Sequence, residues 1–328
     1  MEKKIEKIGV FTSGGDAPGM NAAIRAVVRA CAFYKKEAFG IMRGYDGMIE
    51  GDLVKLGARS VGNIIQRGGT ILKTARSEEF MTSAGRKKAY ENLKKEGIDA
   101  LVAIGGDGTF TGLHKFYEEY QVPSVCIPGT IDNDLPGTDY TIGYDTATNT
   151  AVEAIDRIRD TALSHNRLFF VEVMGRNSGY IAMNSGIAGG ATAIIIPEEK
   201  ITFDQFYNML GANKESSKKS NLIVVAEGSK IGDANSLAKQ VAERSSYFDI
   251  KVTILGHLQR GGSPTYFDRV LASKMGIAAV EGLLEGKKDV MVGIKDNKMV
   301  YNDFNSIMTD KYHEIDPESL RIAKILSI

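Results

Sequence analysis

Cysteine is nearly absent, and the two that occur, Cys31 and Cys126, lie in apolar segments of helix-like and strand-like character. Free buried thiols are the ordinary state in such segments, so neither a disulfide framework nor a thiolate nucleophile organises the chain. Net charge is missing too, since 41 Lys and Arg balance 41 Asp and Glu. No overall field draws the protein onto nucleic acid or a membrane surface, and any anion site has to be local. No apolar run approaches the ~20 residues of a transmembrane helix, and the charged start M-E-K-K-I-E-K runs into an apolar strand without a signal region. The expectation is a cytoplasmic protein with no nucleic-acid partner and no membrane. Tandem repeats, low-complexity tracts and heptads are also lacking.

What is present is an average globular composition, 43% hydrophobic and 25% charged, spread over 328 residues. That length exceeds one typical core and predicts two domains. Along the chain, short apolar runs closed by glycine turns alternate with stretches of helical spacing, the pattern of an α/β protein with parallel strands.

The stretch that organises the rest is P-G-T-I-D-N-D, Pro128 to Asp134, which follows the apolar run Val122–Ile127. A buried strand ending in a tight turn brings Thr130, Asp132 and Asp134 out at its carboxyl end, and residues two apart in extended backbone share a direction. Two carboxylates that close repel unless a cation or a substrate proton lies nearby, which is what phosphoryl transfer supplies. The competing reading is a polar turn in which Asp and Asn bond locally.

Two further turns have related chemistry. I-G-V-F-T, S-G-G-D-A-P-G and the helical M-N-A-A-I-R-A-V-V-R give strand, glycine turn and helix from Ile8 onward. Backbone N–H groups at Gly14 and Gly15 and the following helix start can meet an anion, although neither the Rossmann nor the Walker A spacing is matched. A-L-V-A-I-G-G-D-G-T, Ala100 to Thr109, is unbroken by polar alternation, as in a strand covered on both faces. Its glycines admit phosphate oxygens, and Asp107 is a candidate ligand for Mg²⁺. Parallel strands place all three turns along one edge, where open α/β sheets bind ligands.

Other residues are less decided. Arg25 and Arg29 share a helix face, either solvated or a second anion site, and Tyr45 is core, turn packing or a stacking surface for a base. Gln66 to Ser77 is a glycine turn carrying Arg67 and Arg76. In the second half the runs carry cations: Arg167 opens R-L-F-F-V-E-V-M, Gly175 and Arg176 follow it, Glu227 ends N-L-I-V-V-A-E-G, and Lys251, His257 and Arg260 fall in K-V-T-I-L-G-H-L-Q-R-G-G-S-P. Each cation alone reads equally as a surface pair, and His257 as a core imidazole; their gathering at strand termini suggests an anionic, hydroxyl-bearing partner. Lys214 to Ser220 is the most loop-like stretch, and Ser319 to Ile328 has the spacing of a helix docked by an apolar face.

Five ordered motifs, T-S-G-G-D-A-P-G-M-N, I-G-G-D-G-T, P-G-T-I-D-N-D, E-V-M-G-R and L-G-H-L-Q-R-G-G-S-P, resemble those of the bacterial ATP-dependent 6-phosphofructokinases, and the resemblance runs over essentially the whole chain. It implies two unequal α/β domains with mostly parallel sheets and an active-site cleft between them: residues 1–143 plus 259–309 for ATP and Mg²⁺, residues 144–258 plus 310–328 for fructose 6-phosphate. It also implies a glycolytic homotetramer. Asp132 matches the general base for the sugar 1-hydroxyl, Asp107 the Mg²⁺ ligand, and Thr130 the group that positions the γ-phosphate. Gly15, Arg76 with Ser77, and Gly106, Gly108 and Thr109 match the ATP phosphate site, with Tyr45 near the purine. Arg76 and Arg176 match the cations on the transferring phosphoryl group. Thr130, Ile131, Asp132, Met174, Gly175, Arg176 and Glu227 match the sugar contacts. Arg167, Lys251, His257 and Arg260, with Leu258 and Gln259, match the 6-phosphate cluster, part of it from a neighbouring subunit.

The resemblance also bears on donor and control. Pyrophosphate-using relatives tend to carry Asp and Lys where this chain has Gly108 and Gly129, so ATP is expected. Lys251 stands where the family usually has Arg. Arg25, Arg29, Arg159, Gly190 and Lys218 match a site for ADP and phosphoenolpyruvate, but Thr192 replaces a usual Glu and Ser216 and Ser220 replace basic residues, so blunted or altered allostery is expected. A related kinase of NAD or lipid leaves the second-half cations unexplained, and a non-catalytic effector-binding paralogue is expected to lack Asp132, Asp107 or Arg176, all of which are present.

Overall fold

The computed structural model describes residues 4–163, 167–215, 221–309 and 315–326 and divides into two units. Among the described residues the strands are β1 (Lys7–Thr12), β2 (Glu37–Ile41), β3 (Leu53–Leu56), β4 (Ala100–Gly105), β5 (Ser124–Thr130), β6 (Ile142–Gly143), β7 (Arg167–Val173), β8 (Ala193–Ile195), β9 (Asn221–Ala226), β10 (Asp249–Ile254), β11 (Val290–Lys295) and β12 (Lys298–Asp303). The units divide at Thr146/Ala147 and Gln259/Arg260, against 143/144 and 258/259 expected from the sequence, and Asp132–Asp134 group with the second unit.

The larger unit, Met1–Ile131, Leu135–Thr146 and Arg260–Tyr312, holds an eight-stranded sheet ordered β3-β2-β1-β4-β5-β11-β12, with β6 paired to β5. Only the edge pairs β2/β3 and β11/β12 are antiparallel. Every residue of β4 is buried, as its apolar run predicts for a strand covered on both faces. The chain goes from β1 to β2 on one side and later to β4 on the other, so strand order reverses between β1 and β4. A topological switch point of this kind opens a crevice at the carboxyl ends.

The helices Met20–Phe33 and Tyr266–Leu284 cover this sheet and approach each other closely through small residues. A Cβ on Gly276 would lie 2.6 Å from Cβ of Ala26. On the other face Phe11, Tyr45, Phe80, Phe110 and Phe116 pack with Leu101, Leu113 and Phe304 into one apolar cluster.

The second unit, Asp132–Asp134, Ala147–Gln259 and His313–Ile328, carries an all-parallel sheet ordered β10-β7-β9-β8. Leu168, Phe170, Ile223 and Val225 of its strands pack against Phe206, Leu210, Leu237 and Val241 of helices Phe203–Glu215 and Ala234–Arg244. The expected C-terminal helix spans Pro317–Leu326; none of its residues is fully buried, and Lys324 pairs with Glu199 at 3.0 Å. No helix among the described residues is long and apolar enough to cross a membrane.

Candidate active site

In the larger unit the turns after β1 and β4 meet at the switch point. Ser13 N–H donates to the carbonyl of Ile104 at 3.1 Å, and Thr109 Oγ1 donates to the carbonyl of Ser13 at 3.1 Å. Gly105 is required here, because a Cβ would sit 2.6 Å from the Ser13 carbonyl. Asp107, exposed, opens the helix Asp107–Tyr120, whose N-cap Gly106 brings no capping side chain. The first-turn N–H groups and the positive end of that helix therefore face the same turn as the Asp107 carboxylate.

The Arg76 segment is tied to the first glycine turn. Thr74 Oγ1 donates to the carbonyl of Gly14 at 2.8 Å, and Thr12 Oγ1 donates to that of Lys73 at 2.8 Å. Arg76 is exposed beyond these anchors, while the hydroxyl of Ser77 accepts from Phe80 N–H at 3.3 Å and thereby turns the chain. Thr12 and Thr74 carry this geometry; both lie in stretches the sequence marks, T-S-G-G-D-A-P-G-M-N and Gln66 to Ser77, but neither stands out there.

Tyr45, expected near the purine, is 5% exposed and stacks on Phe80 with ring centroids 3.9 Å apart. Its hydroxyl donates to the Thr109 carbonyl at 2.5 Å. Of the three readings open in the sequence, the structure selects core packing: Tyr45 backs the Gly106–Thr109 turn and offers no free ring face. Arg260, expected among the sugar 6-phosphate cations, packs its guanidinium on Gly15 and donates to the Asp16 carbonyl at 3.2 Å, so in this structure it belongs to the first glycine turn.

β5 ends at Thr130. Ile131 is fully buried, so its side chain anchors the loop and leaves only its backbone for a ligand. In the second unit Asp132 is 4% exposed, and Arg176 Nε stands 3.8 Å from its Oδ2. Asn133, at φ 50°, turns the chain sharply after the carboxylate.

Arg176 itself has φ 52° and follows Gly175 at φ 142°. A left-handed non-glycine residue is strained by ~1–3 kcal/mol and persists where its surroundings fix it. Glu227, after β9, does so: Oε1 accepts from Gly175 N–H at 3.3 Å and Arg176 N–H at 2.7 Å. Gln259 also contributes, since its amide oxygen accepts from Met174 N–H at 3.3 Å and its amide nitrogen donates to the Gly256 carbonyl at 3.0 Å. Gln259 is fully buried, so its side chain is a strut where the sequence offered a substrate contact; His257 and Leu258 before it are exposed.

The cations of the second unit do not gather at one place. Arg167 begins β7 and Lys251 lies within β10, and both pair with Asp249 at the amino end of the sheet. His257 follows the carboxyl end of β10, the edge that also carries Met174, Arg176 and Glu227.

Of the expected effector residues, Arg25 and Arg29 line a hollow of about 340 Å³ with Phe33, Ser273, Ile277 and Glu281. Burial and then the neighbouring Arg29 lower the pKa of Arg25. In the second unit Arg159 packs on Gly190, where a Cβ would lie 3.0 Å from Nη2, and that nitrogen is buried with no hydrogen-bond partner among the described residues. Thr192 is 6% exposed, its hydroxyl accepting from Leu222 N–H at 3.4 Å. Lys218, Ser216 and Ser220 lie outside the described residues.

Comparison with known proteins adds a family likeness. A family model described as Phosphofructokinase matches residues 7–283. The ATP-dependent 6-phosphofructokinase of Cytophaga hutchinsonii is 55% identical over 323 residues, 98% of either chain. The solved phosphofructokinase of Saccharomyces cerevisiae superposes with a TM-score of 0.87 at 36% identity, over 98% of this chain and 46% of the longer yeast chain. A pyrophosphate-dependent phosphofructokinase from Marinobacter aquaeolei superposes with a TM-score of 0.85 over 98% of this chain and 91% of that one, at 19% identity, a likeness of fold alone.

Proposed function

The chain belongs to the phosphofructokinase family, and from that premise we propose that it is a glycolytic ATP-dependent 6-phosphofructokinase. It passes the γ-phosphoryl group of ATP to the 1-hydroxyl of fructose 6-phosphate, giving fructose 1,6-bisphosphate and ADP. The observation that carries the assignment is the approach of Arg176 Nε to within 3.8 Å of Asp132 Oδ2. A base and a cation on one side of a phosphoryl group are what an attacking alcohol needs.

Asp132 takes the proton of the 1-hydroxyl as the oxygen attacks phosphorus, an assistance worth about 10² to 10⁴ in rate. Arg176 and Arg76 stabilise charge on the equatorial oxygens, where one arginine contributes about 10³ or more. Thr130 positions the γ-phosphate, and the Gly106–Thr109 turn with Gly15 offers N–H groups to the rest of the triphosphate.

The residues present fit a magnesium ion held through the nucleotide. Among the described residues no group of three or more His, Cys, Asp or Glu forms a metal cage, whereas Mg²⁺ is commonly held by one or two carboxylates and substrate phosphates. Asp107 supplies an exposed carboxylate beside Gly108, at which a Cβ would meet nothing within 4 Å. A magnesium ion held there would supply positive charge against the phosphate oxygens.

In this assignment the larger unit contributes the ATP and Mg²⁺ residues. The second unit contributes Asp132, Met174, Gly175, Arg176, Glu227 and His257 toward the sugar phosphate. The separation of Arg167 and Lys251 from His257 supports a homotetramer in which the 6-phosphate is held by residues of two subunits, and the cytoplasm is the compartment assigned.

Single-turnover transfer to fructose 6-phosphate, with ATP and with pyrophosphate, tests this on wild type and Asp132→Ser. ATP should serve, pyrophosphate should fail, and the variant should fall by about 10² or more. A wild type that transfers from neither donor overturns the assignment.

A further inference from the structure

We propose that Ser178 and Glu198 are positioning residues for phosphoryl transfer, together holding the Arg176 loop in register with the peptide of Asp132. The proposal rests on Asp132 being the base and Arg176 a cation of the transfer. Ser178 and Glu198 act through them.

The loop Met174–Gly179 joins β7 to the helix Tyr180–Ala188. With Gly175 and Arg176 both at positive φ it has little intrinsic preference for its shape, and outside partners must impose it. Glu227 and Gln259 fix its first half through Met174, Gly175 and Arg176 N–H. Its second half is fixed by Glu198, whose Oε1 accepts from Gly179 N–H at 2.8 Å. Gly179 permits the approach, because a Cβ there would lie 2.6 Å from Glu198 Oε2 and 2.6 Å from Ile196 Cβ. Burial raises the Glu198 pKa, and the bonds from Gly179 N–H and from its own backbone N–H oppose that shift.

Ser178 joins this fixed loop to the base. Its N–H donates to the Gly175 carbonyl at 2.8 Å, and its hydroxyl donates to the carbonyl of Asp132 at 2.8 Å. Ser178 is 5% and Asp132 4% exposed, so water does not compete freely for that carbonyl. The accepting peptide is the one between Asp132 and Asn133, the residue at φ 50° that sets the direction of the loop. Arg176 and Ser178 thus lie two residues apart on one segment, the first approaching the Asp132 side chain and the second holding its backbone. A displacement of ~1 Å in a reacting group can cost ~10²-fold in rate, so one hydroxyl at this joint has leverage on kcat.

The test measures kcat and KM for ATP and fructose 6-phosphate in wild type, Ser178→Ala, Glu198→Ala and Glu198→Gln, with thermal unfolding of each. Ser178→Ala should lower kcat about tenfold or more with both KM values within about twofold and the folded state retained. Glu198→Ala should act alike, and Glu198→Gln, which keeps an acceptor for Gly179 N–H, should recover most of that loss. A cycle with Asp132→Asn separates positioning from support of the fold: with the base removed, Ser178→Ala should cost less than about threefold, whereas general loosening costs the same factor in both backgrounds. Equal factors, or a Ser178→Ala enzyme within twofold of wild type, overturn the proposal while leaving the kinase assignment standing. An inactive wild type overturns both. If Ser178→Ala does not fold, the Glu198 pair decides, and equal kcat in Glu198→Ala and wild type sinks the idea.

Discussion

Arg167 and Asp249 face each other in register across β7 and β10, with Arg167 Nε 2.8 Å from Oδ2, and Lys251 Nζ lies 2.7 Å from the other oxygen of the same carboxylate. The bond to Lys251, then that to Arg167, holds the Asp249 carboxyl below its ordinary pKa. Two cations are thereby presented side by side on an exposed edge. Lys251 contributes a point charge, whereas an arginine would contribute a planar fork able to grip a phosphate with two parallel bonds. Lys251→Arg should therefore tighten fructose 6-phosphate binding, by about twofold or more. Equilibrium titration of the purified enzyme checks this, and unchanged or weaker binding counts against a phosphate at this edge.

Gly108 and Gly129 are expected to discriminate between donors, but their surroundings differ. A Cβ at Gly108 meets nothing within 4 Å, whereas one at Gly129 would lie 2.9 Å from Ile104 Cγ2 and 3.4 Å from Met20 Cε. Gly108→Asp should fold as well as wild type and lose about tenfold or more in kcat/KM for ATP, a difference of ~1.4 kcal/mol. Gly129→Lys should lose ATP use and stability together, since overpacking a filled site costs about 1–3 kcal/mol. Thermal unfolding beside ATP kinetics distinguishes the two, and an ATP kcat/KM unchanged in Gly108→Asp removes that glycine from the donor argument.

Asp268, fully buried, accepts from Gly143 N–H and Thr146 N–H at 2.9 Å each and from the Thr146 hydroxyl at 2.5 Å. Burial pushes its pKa from 3.8 up to about 6 against the pull of those bonds, and Asp145 adds to the rise. An acid whose pKa is raised by folding destabilises the folded state above that pKa, and the penalty fades as pH falls through about 6 toward 3.8. Asp268→Asn turns an amide N–H₂ toward a donor and should cost about 1–3 kcal/mol at pH 7. The difference in Tm between wild type and variant should widen as pH drops from 7 to 4, because only wild type gains by protonation. A gap that stays constant over that range contradicts a titrating Asp268.

The parts of this fold that are legible in the sequence are those with both pattern and chemistry. β4 is legible because A-L-V-A-I-G has no polar alternation and ends in a glycine turn, and its residues are indeed all buried. The β11–β12 hairpin is not, since its turn at Asp296 and Asn297, which the structure holds at φ 48° and 61°, lacks the glycine that usually marks one. In the site, Asp132 and Arg176 stand out by residue type, and the structure pairs them. Ser178, Thr74 and Thr12 do not, because a hydroxyl that bonds a distant carbonyl looks in sequence like any surface serine or threonine. Glu198, at the end of A-I-I-I-P-E, had the same strand-end position that marks Glu227, but its partner Gly179 is fixed only by tertiary structure. Gln259 and Tyr45 show the converse: side chains inside a recognisable motif or near one can serve the backbone around the ligand instead of the ligand.

Control by effectors should be weak. Arg159 packs on Gly190 with one buried nitrogen that has no hydrogen-bond partner among the described residues, and Thr192, itself buried, accepts from Leu222 N–H. A neutral threonine at that position cannot hold the cation of a metal-bound diphosphate as a carboxylate can, nor can it repel a bare phosphate. A site built on Arg159 with a neutral residue at 192 would lack a means of telling two anions apart. Fructose 6-phosphate saturation should be close to hyperbolic, and ADP and phosphoenolpyruvate should each move the half-saturation point by less than about threefold, under ~0.7 kcal/mol of coupling. Steady-state kinetics with each effector decides this: sigmoidal saturation relieved strongly by ADP would show that the effector site works without a carboxylate at 192.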